Sequence, residues 1–171
     1  MNRSLTAAPG RASLAVRVEP TPQPASSADD TALANALANE HAAIYSYGLV
    51  SAHSVPDNNW LVTECLVEHR QCREECIAKL RGRSVPAPVA AAGYKVPFPV
   101  STPAAAIKLA LQVETDTAAC WRAVAEQADS ADDRGFAVRM LTESAIRAAR
   151  WRVAGGITPV SVAFPGGTEK A

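Results

Sequence analysis

The chain carries no excess charge of either sign. Lys and Arg together number 17, Asp and Glu also 17, and the isoelectric point lies near 6.8. A nucleic-acid or anionic-membrane partner requires a basic excess, so both are excluded on this reading. Aromatic residues are scarce, at 5% of 171 residues. Val, Ile and Thr form no period-two runs, which argues against strands. No apolar run approaches the roughly 20 residues of a membrane span. The opening MNRSLTAAPGR has no apolar stretch of the kind a secretory signal needs. Four cysteines are too few for a disulfide scaffold, so the expected compartment is a reducing cytoplasm. No nucleophile triad, phosphate-cradling glycine loop or dinucleotide fingerprint is present in the sequence.

What the chain does have is alanine, the best intrinsic helix former, and the expected fold class is all-α. Residues 1–28, with four prolines and no helical period, read as a disordered tail, and residues 29–171 as one bundle domain. Ser27 caps a first helix with the stripe Leu33, Leu37, Glu40, Ile44, Tyr47. Pro56 is expected to open a second helix, which ends near Gly82 and carries Leu61, Cys65, His69, Cys72 and Cys76 on one face. Thr102-Pro103 opens a third, with the stripe Ile107, Leu111, Glu114, Ala118, Trp121. Ser130 caps a fourth, with Asp133 placed for a capping box. Its stripe is Phe136, Met140, Glu143, Arg147, Arg150, and Gly155-Gly156 ends it.

Helices 1 and 2, and helices 3 and 4, are joined by short turns, so each pair is an antiparallel hairpin. The link between helices 2 and 3 is long and contains Pro86, Pro88, Pro97 and Pro99. A loop of that length in a compact domain needs a reason. At about 3.1 Å per residue an extended Pro-rich segment can run the whole length of a bundle. Such a long crossover separates a ferritin-like bundle from a simple up-down-up-down one.

Buried carboxylates are costly unless paired or bound to metal. Three stripes contain one, Glu40, Glu114 and Glu143, and the fourth contains His69. Glu40 and His69 are 29 residues apart, as are Glu114 and Glu143, which places all four at one level of the bundle. Carboxylates and imidazole converging from four helices are the ligands of a dimetal carboxylate site, and they suit Fe or Mn. Two arginines, Arg147 and Arg150, fall on or beside the same stripe and are able to replace the metal as the cation. Cys65, Cys72 and Cys76, with Cys120, read either as a thiolate stripe or as small core residues. His41 is expected to face solvent or a partner, His53 to suit the helix dipole, and Trp121 and Trp151 to pack.

Four segments stand out: Glu40-His41-Ala42-Ala43-Ile44-Tyr45-Ser46-Tyr47-Gly48, Glu68-His69-Arg70, Val96-Pro97-Phe98-Pro99-Val100 and Arg147-Ala148-Ala149-Arg150-Trp151-Arg152. Through them the chain resembles the ferritin-like superfamily, and more closely an uncharacterised ferritin-like domain family of actinobacterial proteins. The resemblance covers residues 29–165. It implies a four-helix bundle in which Glu40, followed by Tyr47, and Glu114 stand at ligand positions. The Glu-x-x-His pattern of helices 2 and 4 is absent, since Ile146 stands where the second histidine belongs. Two functions follow as expectations. One is a non-enzymatic interaction module, a degenerate relative with a buried polar cluster including Tyr47, Arg147 and Arg150. The other is a redox-active Fe or Mn protein using Glu40, His69, Glu114 and Glu143. A homodimer or another protein partner fits the first.

Overall fold

The computed structural model describes residues 27–167. Four long helices make the bundle: α1 (Ala28–His53), α2 (Asn59–Gly82), α3 (Pro103–Gln127) and α4 (Ala131–Ala154). No strand occurs among the described residues. The tail expected over residues 1–28 lies, up to residue 26, outside the described residues. Ser27 and Ala28 already belong to the start of α1.

Local chemistry sets the helix starts. The hydroxyls of Ser27, Thr102 and Ser130 accept the backbone N–H groups of Asp30, Ala105 and Asp133 at 3.0, 3.2 and 3.0 Å, satisfying donors that a helix start otherwise leaves open. Pro103 occupies the first turn of α3. Pro56 opens a short 3-10 turn, Pro56–Asn58, and α2 proper begins three residues later than the proline suggested.

Side-chain pairings fix the helix directions. Along α1, Asp29 meets Arg83 and Glu40 meets His69, so α1 and α2 are antiparallel. Glu40 meets Trp121 and Tyr47 meets Glu114, so α1 and α3 are antiparallel too. Glu64, Glu75 and Lys79 of α2 meet Arg150, Arg139 and Asp132 of α4, again in opposite order. α2 and α3 therefore point the same way, and residues 83–102 carry the chain from one end of the bundle to the other. His41 holds this segment: it is buried, and its Nε2 donates to the Pro88 carbonyl at 3.1 Å. Facing solvent or a partner was the expectation for that ring.

Two apolar clusters fill the interior. One contains Leu33, Leu37, Cys76, Leu80, Trp121 and Phe136, with Val85 and Ala87 of the connecting segment against it. The other contains Tyr47, Val50, Leu61, Cys65, Leu109 and Trp151, with Val96, Phe98 and Val100 against it. The indole of Trp121 meets the Phe136 ring edge-on at 5.2 Å between centroids, a favoured aromatic geometry. Between these clusters lies a layer of polar side chains. At the far end, Arg83 pairs with Asp29, Asp30 and Asp133, and Lys79 with Asp132 and Asp133. That network ties the end of α2 to the starts of α1 and α4. No helix among the described residues is long and apolar enough to cross a membrane.

Candidate functional site

Each helix contributes to the polar layer, and helical period decides which residue. α1 supplies Glu40 and, seven residues on, Tyr47 on the same face; α2 supplies His69; α3 supplies Glu114; α4 supplies Arg147. His69, Glu114 and Tyr47 are fully buried, and Glu40 and Arg147 nearly so.

His69 sits between two carboxylates. Its Nδ1 lies 2.6 Å from Glu40 Oε2 and its Nε2 lies 3.1 Å from Glu114 Oε1. Carboxylates only accept, so both ring nitrogens must donate, and the ring is an imidazolium. Burial opposes that charge, but Glu114 and then Glu40 outweigh it and raise the His69 pKa to about 9. Arg147 closes the other side of Glu114. Its Nε donates to Glu114 Oε2 at 2.8 Å, Nη1 to Glu68 Oε2 at 2.7 Å and Nη2 to Ser144 Oγ at 3.1 Å. Burial pushes the Glu114 carboxyl upward, but the charges of His69 and Arg147 win and hold it below its ordinary range.

Further donors reach the same two carboxylates. Tyr47 donates to Glu114 Oε1 at 2.5 Å and itself accepts from the Trp151 indole at 2.8 Å. The Trp121 indole donates to Glu40 Oε1 at 3.0 Å, and the Cys72 thiol approaches the same oxygen at 3.5 Å. Two buried carboxylates thus face one imidazolium and one guanidinium, and these four buried charges cancel. Glu68, about one-third exposed, gives Arg147 a second acceptor at the rim. Among the described residues only Asp29 Oδ1 and Ser54 Oγ are buried without a partner, and neither belongs to this layer.

Of the four carboxylate and imidazole residues singled out in the sequence, Glu40, His69 and Glu114 come together and Glu143 does not. The inward stripe of α4 is Met140, Ser144, Arg147, Trp151, so Ser144 takes the inward place and Glu143 stands half-buried beside it. Burial raises the Glu143 carboxyl, although Arg147 nearby counteracts it. Arg147 joins the layer as anticipated. Arg150 lies outside it, paired with Glu64 across the α2–α4 seam. Trp121, Trp151, Glu68, Ser144 and Cys72 are participants that sequence reasoning treated as packing or passed over. One signal was present for Glu68: acids at 64, 68 and 75 of α2 match arginines at 150, 147 and 139 of α4 in reverse order.

The cysteines are free thiols on or near the core. Burial pushes Cys65 up to about 12. A hydrogen bond to Cys76, then burial and Glu40, pushes Cys72 well above the ordinary thiol range. Thiolate chemistry needs the opposite shift, so these positions behave as small core residues.

The family model described as "Domain of unknown function (DUF4439)" matches residues 32–169. Among solved structures, the chain is similar to a conserved hypothetical protein, rv2844, from Mycobacterium tuberculosis. The two are 52% identical with a TM-score of 0.75, over 81% of this chain and 97% of that one. Among curated proteins none matches this chain.

Proposed function

The chain belongs to the DUF4439 family, a domain of unknown function, and for this member we propose a non-enzymatic helical-bundle module on the ferritin-like plan, its metal position taken by an arginine-closed ion cluster. The course of residues 83–102, from one apolar cluster to the other, supports reading the segment as the crossover of such a bundle.

The observation that carries the proposal is the double engagement of Glu114. His69 and Tyr47 hold one of its oxygens, and Arg147 holds the other. An Fe or Mn ion requires free carboxylate lone pairs and a neutral imidazole nitrogen. Here both ring nitrogens carry protons and each carboxylate oxygen already accepts. Metal entry would require His69 to lose a proton and Arg147 to leave Glu114. The residues in this arrangement do not fit the ion, and the fully paired layer accounts for its own charge without one.

With the interior so engaged, the module works through its surface by binding protein. On α2, Trp60 and Val67 bracket Glu64 at spacings of four and three, and on α4 Ile146 and Val153 bracket Arg150 in the same way. Trp60 is 60% exposed and Val153 64%, with Val67 and Ile146 also exposed. Because Glu64 and Arg150 pair, these four apolar side chains flank one ion pair. An apolar patch with polar residues around it marks an interaction surface.

Unfolding in the presence of metal tests the proposal. A metal that binds only the folded chain stabilises it by about 2.7 kcal/mol at a hundred times its Kd. The expected result is an unchanged urea midpoint when Fe(II) or Mn(II) is added anaerobically, or when a chelator is added. A midpoint that climbs with metal concentration contradicts the proposal.

A further inference from the structure

We propose that the cavity between α3, α4 and the C-terminal segment is a binding site for a small organic carboxylate with an apolar body, its carboxylate held by Arg152. The inference goes beyond the reading of the ion cluster and takes from it only the engagement of both Glu114 oxygens.

The cavity follows from residue size. Where α3 and α4 face outward together, the floor is Ala118, Ala145 and Ala148, whose side chains stop at one methyl. Residues 161–167 cross above them, with Val162 and Phe164 forming the walls. The space enclosed is about 180 Å³. An apolar cavity of about 150 Å³ accepts a benzene ring, so there is room for one small ring or a short alkyl chain.

The roof is fixed by a contact that only glycine permits. Gly166 has φ +73, and a Cβ there would fall 2.6 Å from the Ala118 carbonyl oxygen. The segment thus rests directly on the α3 backbone beside the floor. Phe164 remains 71% exposed while lining the cavity. An aromatic ring left this open has apolar area for a ligand to cover.

Charge selects the ligand. Two charged side chains line the cavity, Glu114 at its inner end and Arg152. Both oxygens of Glu114 are committed to Tyr47, His69 and Arg147, which leaves a cationic ligand no acceptor. Arg152 makes no ion pair among the described residues and is half-buried, so its guanidinium is the group that recognises charge. Guanidinium pairs with carboxylate through two parallel N–H donors, and Ser161 adds a hydroxyl to the lining. An anionic head on an apolar body matches this lining. A neutral apolar molecule meets only part of it.

Calorimetric titration of the full chain with benzoate, and separately with benzyl alcohol as its uncharged counterpart, tests the assignment. Benzoate is expected to bind saturably at one site per chain. Arg152→Gln, a change at a half-exposed position, is expected to weaken benzoate at least about tenfold, the usual scale for losing a charged hydrogen bond, and to leave benzyl alcohol unchanged. Ala145→Leu fills the cavity and is expected to abolish binding of both. Should that variant unfold, Phe164→Ala, which removes an exposed wall, is expected to weaken both. No saturable benzoate binding, or binding indifferent to Arg152→Gln and to whichever wall variant folds, overturns the proposal. Neither result bears on metal in the ion cluster, so the two readings fail separately.

Discussion

Glu114→Ala is expected to cost more stability than any other truncation in the polar layer. The glutamate joins three helices: it accepts from Tyr47 of α1, His69 of α2 and Arg147 of α4. Removing it leaves the His69 imidazolium with Glu40 alone and the Arg147 guanidinium with only Glu68 at the rim. Breaking a single buried ion pair costs about 3–5 kcal/mol, and here two are broken at once. A domain's whole stability is about 5–15 kcal/mol, so much of the variant is expected to be unfolded at room temperature. Arg147→Ala breaks one buried pair and leaves Glu114 with His69, and its loss is expected near 3 kcal/mol, the lower end of that range. A pair of changes, Glu114→Gln with Arg147→Met, removes opposite charges together. It is expected to be more stable than Glu114→Ala, because the penalty lies in the unpaired charge. Urea unfolding followed by circular dichroism measures all three. A loss below about 1 kcal/mol in Glu114→Ala would place the residue among exposed ion pairs and contradict its role here.

Stability is expected to fall as the solution is made alkaline, from about pH 6.5 to about pH 9. His69 binds its proton more tightly when folded, at about 9 against an ordinary 6.5. A pKa raised by folding stabilises fully below the unfolded value, and the contribution disappears as pH passes the folded value. At about 1.4 kcal/mol per unit, the shift is worth on the order of 3 kcal/mol. Glu114 acts with the opposite sign. Its pKa is lowered on folding, so its contribution is present above the ordinary carboxylate range and is lost on acidification. The stability maximum is therefore expected between the carboxylate range and about pH 6.5. His69→Gln is expected to flatten the alkaline slope while lowering stability at pH 6. Unfolding free energies measured across that interval check the sign. A wild-type curve that is flat between about pH 7.5 and 9 would mean that the ring is neutral in the fold.

Several features of the bundle were legible because they depend on local chemistry. The capping hydroxyls of Ser27, Thr102 and Ser130 act within three residues of themselves, so their role can be read from a few neighbours. On α1, α2 and α3 helical spacing picked out Glu40, His69 and Glu114, although Ile44, Ile107 and Leu111 of the same stripes are only half-buried. On α4 the stripe was phased one residue off at Glu143 and at Arg150, where Ser144 and Trp151 face inward. Glu143 and Ser144 are neighbours, and the carboxylate drew attention that the hydroxyl deserved. Pro56 was compatible with either an α-helical or a 3-10 first turn, and spacing alone does not distinguish them. Contacts between distant segments were harder still. The His41–Pro88 bond and the seating of Gly166 on Ala118 depend on where the chain returns, which no local pattern encodes. The indole donors of Trp121 and Trp151 were read as bulk, because a tryptophan's packing shows in periodicity and its hydrogen bond does not.

The central claim is that the layer between the two apolar clusters is closed by the chain's own cations. Elemental analysis tests it most directly, on protein purified without a metal-affinity tag from cells supplied with iron and manganese. The account predicts no stoichiometric Fe or Mn. One or two ions per chain, lost in Glu114→Gln, would contradict it and make those residues ligands.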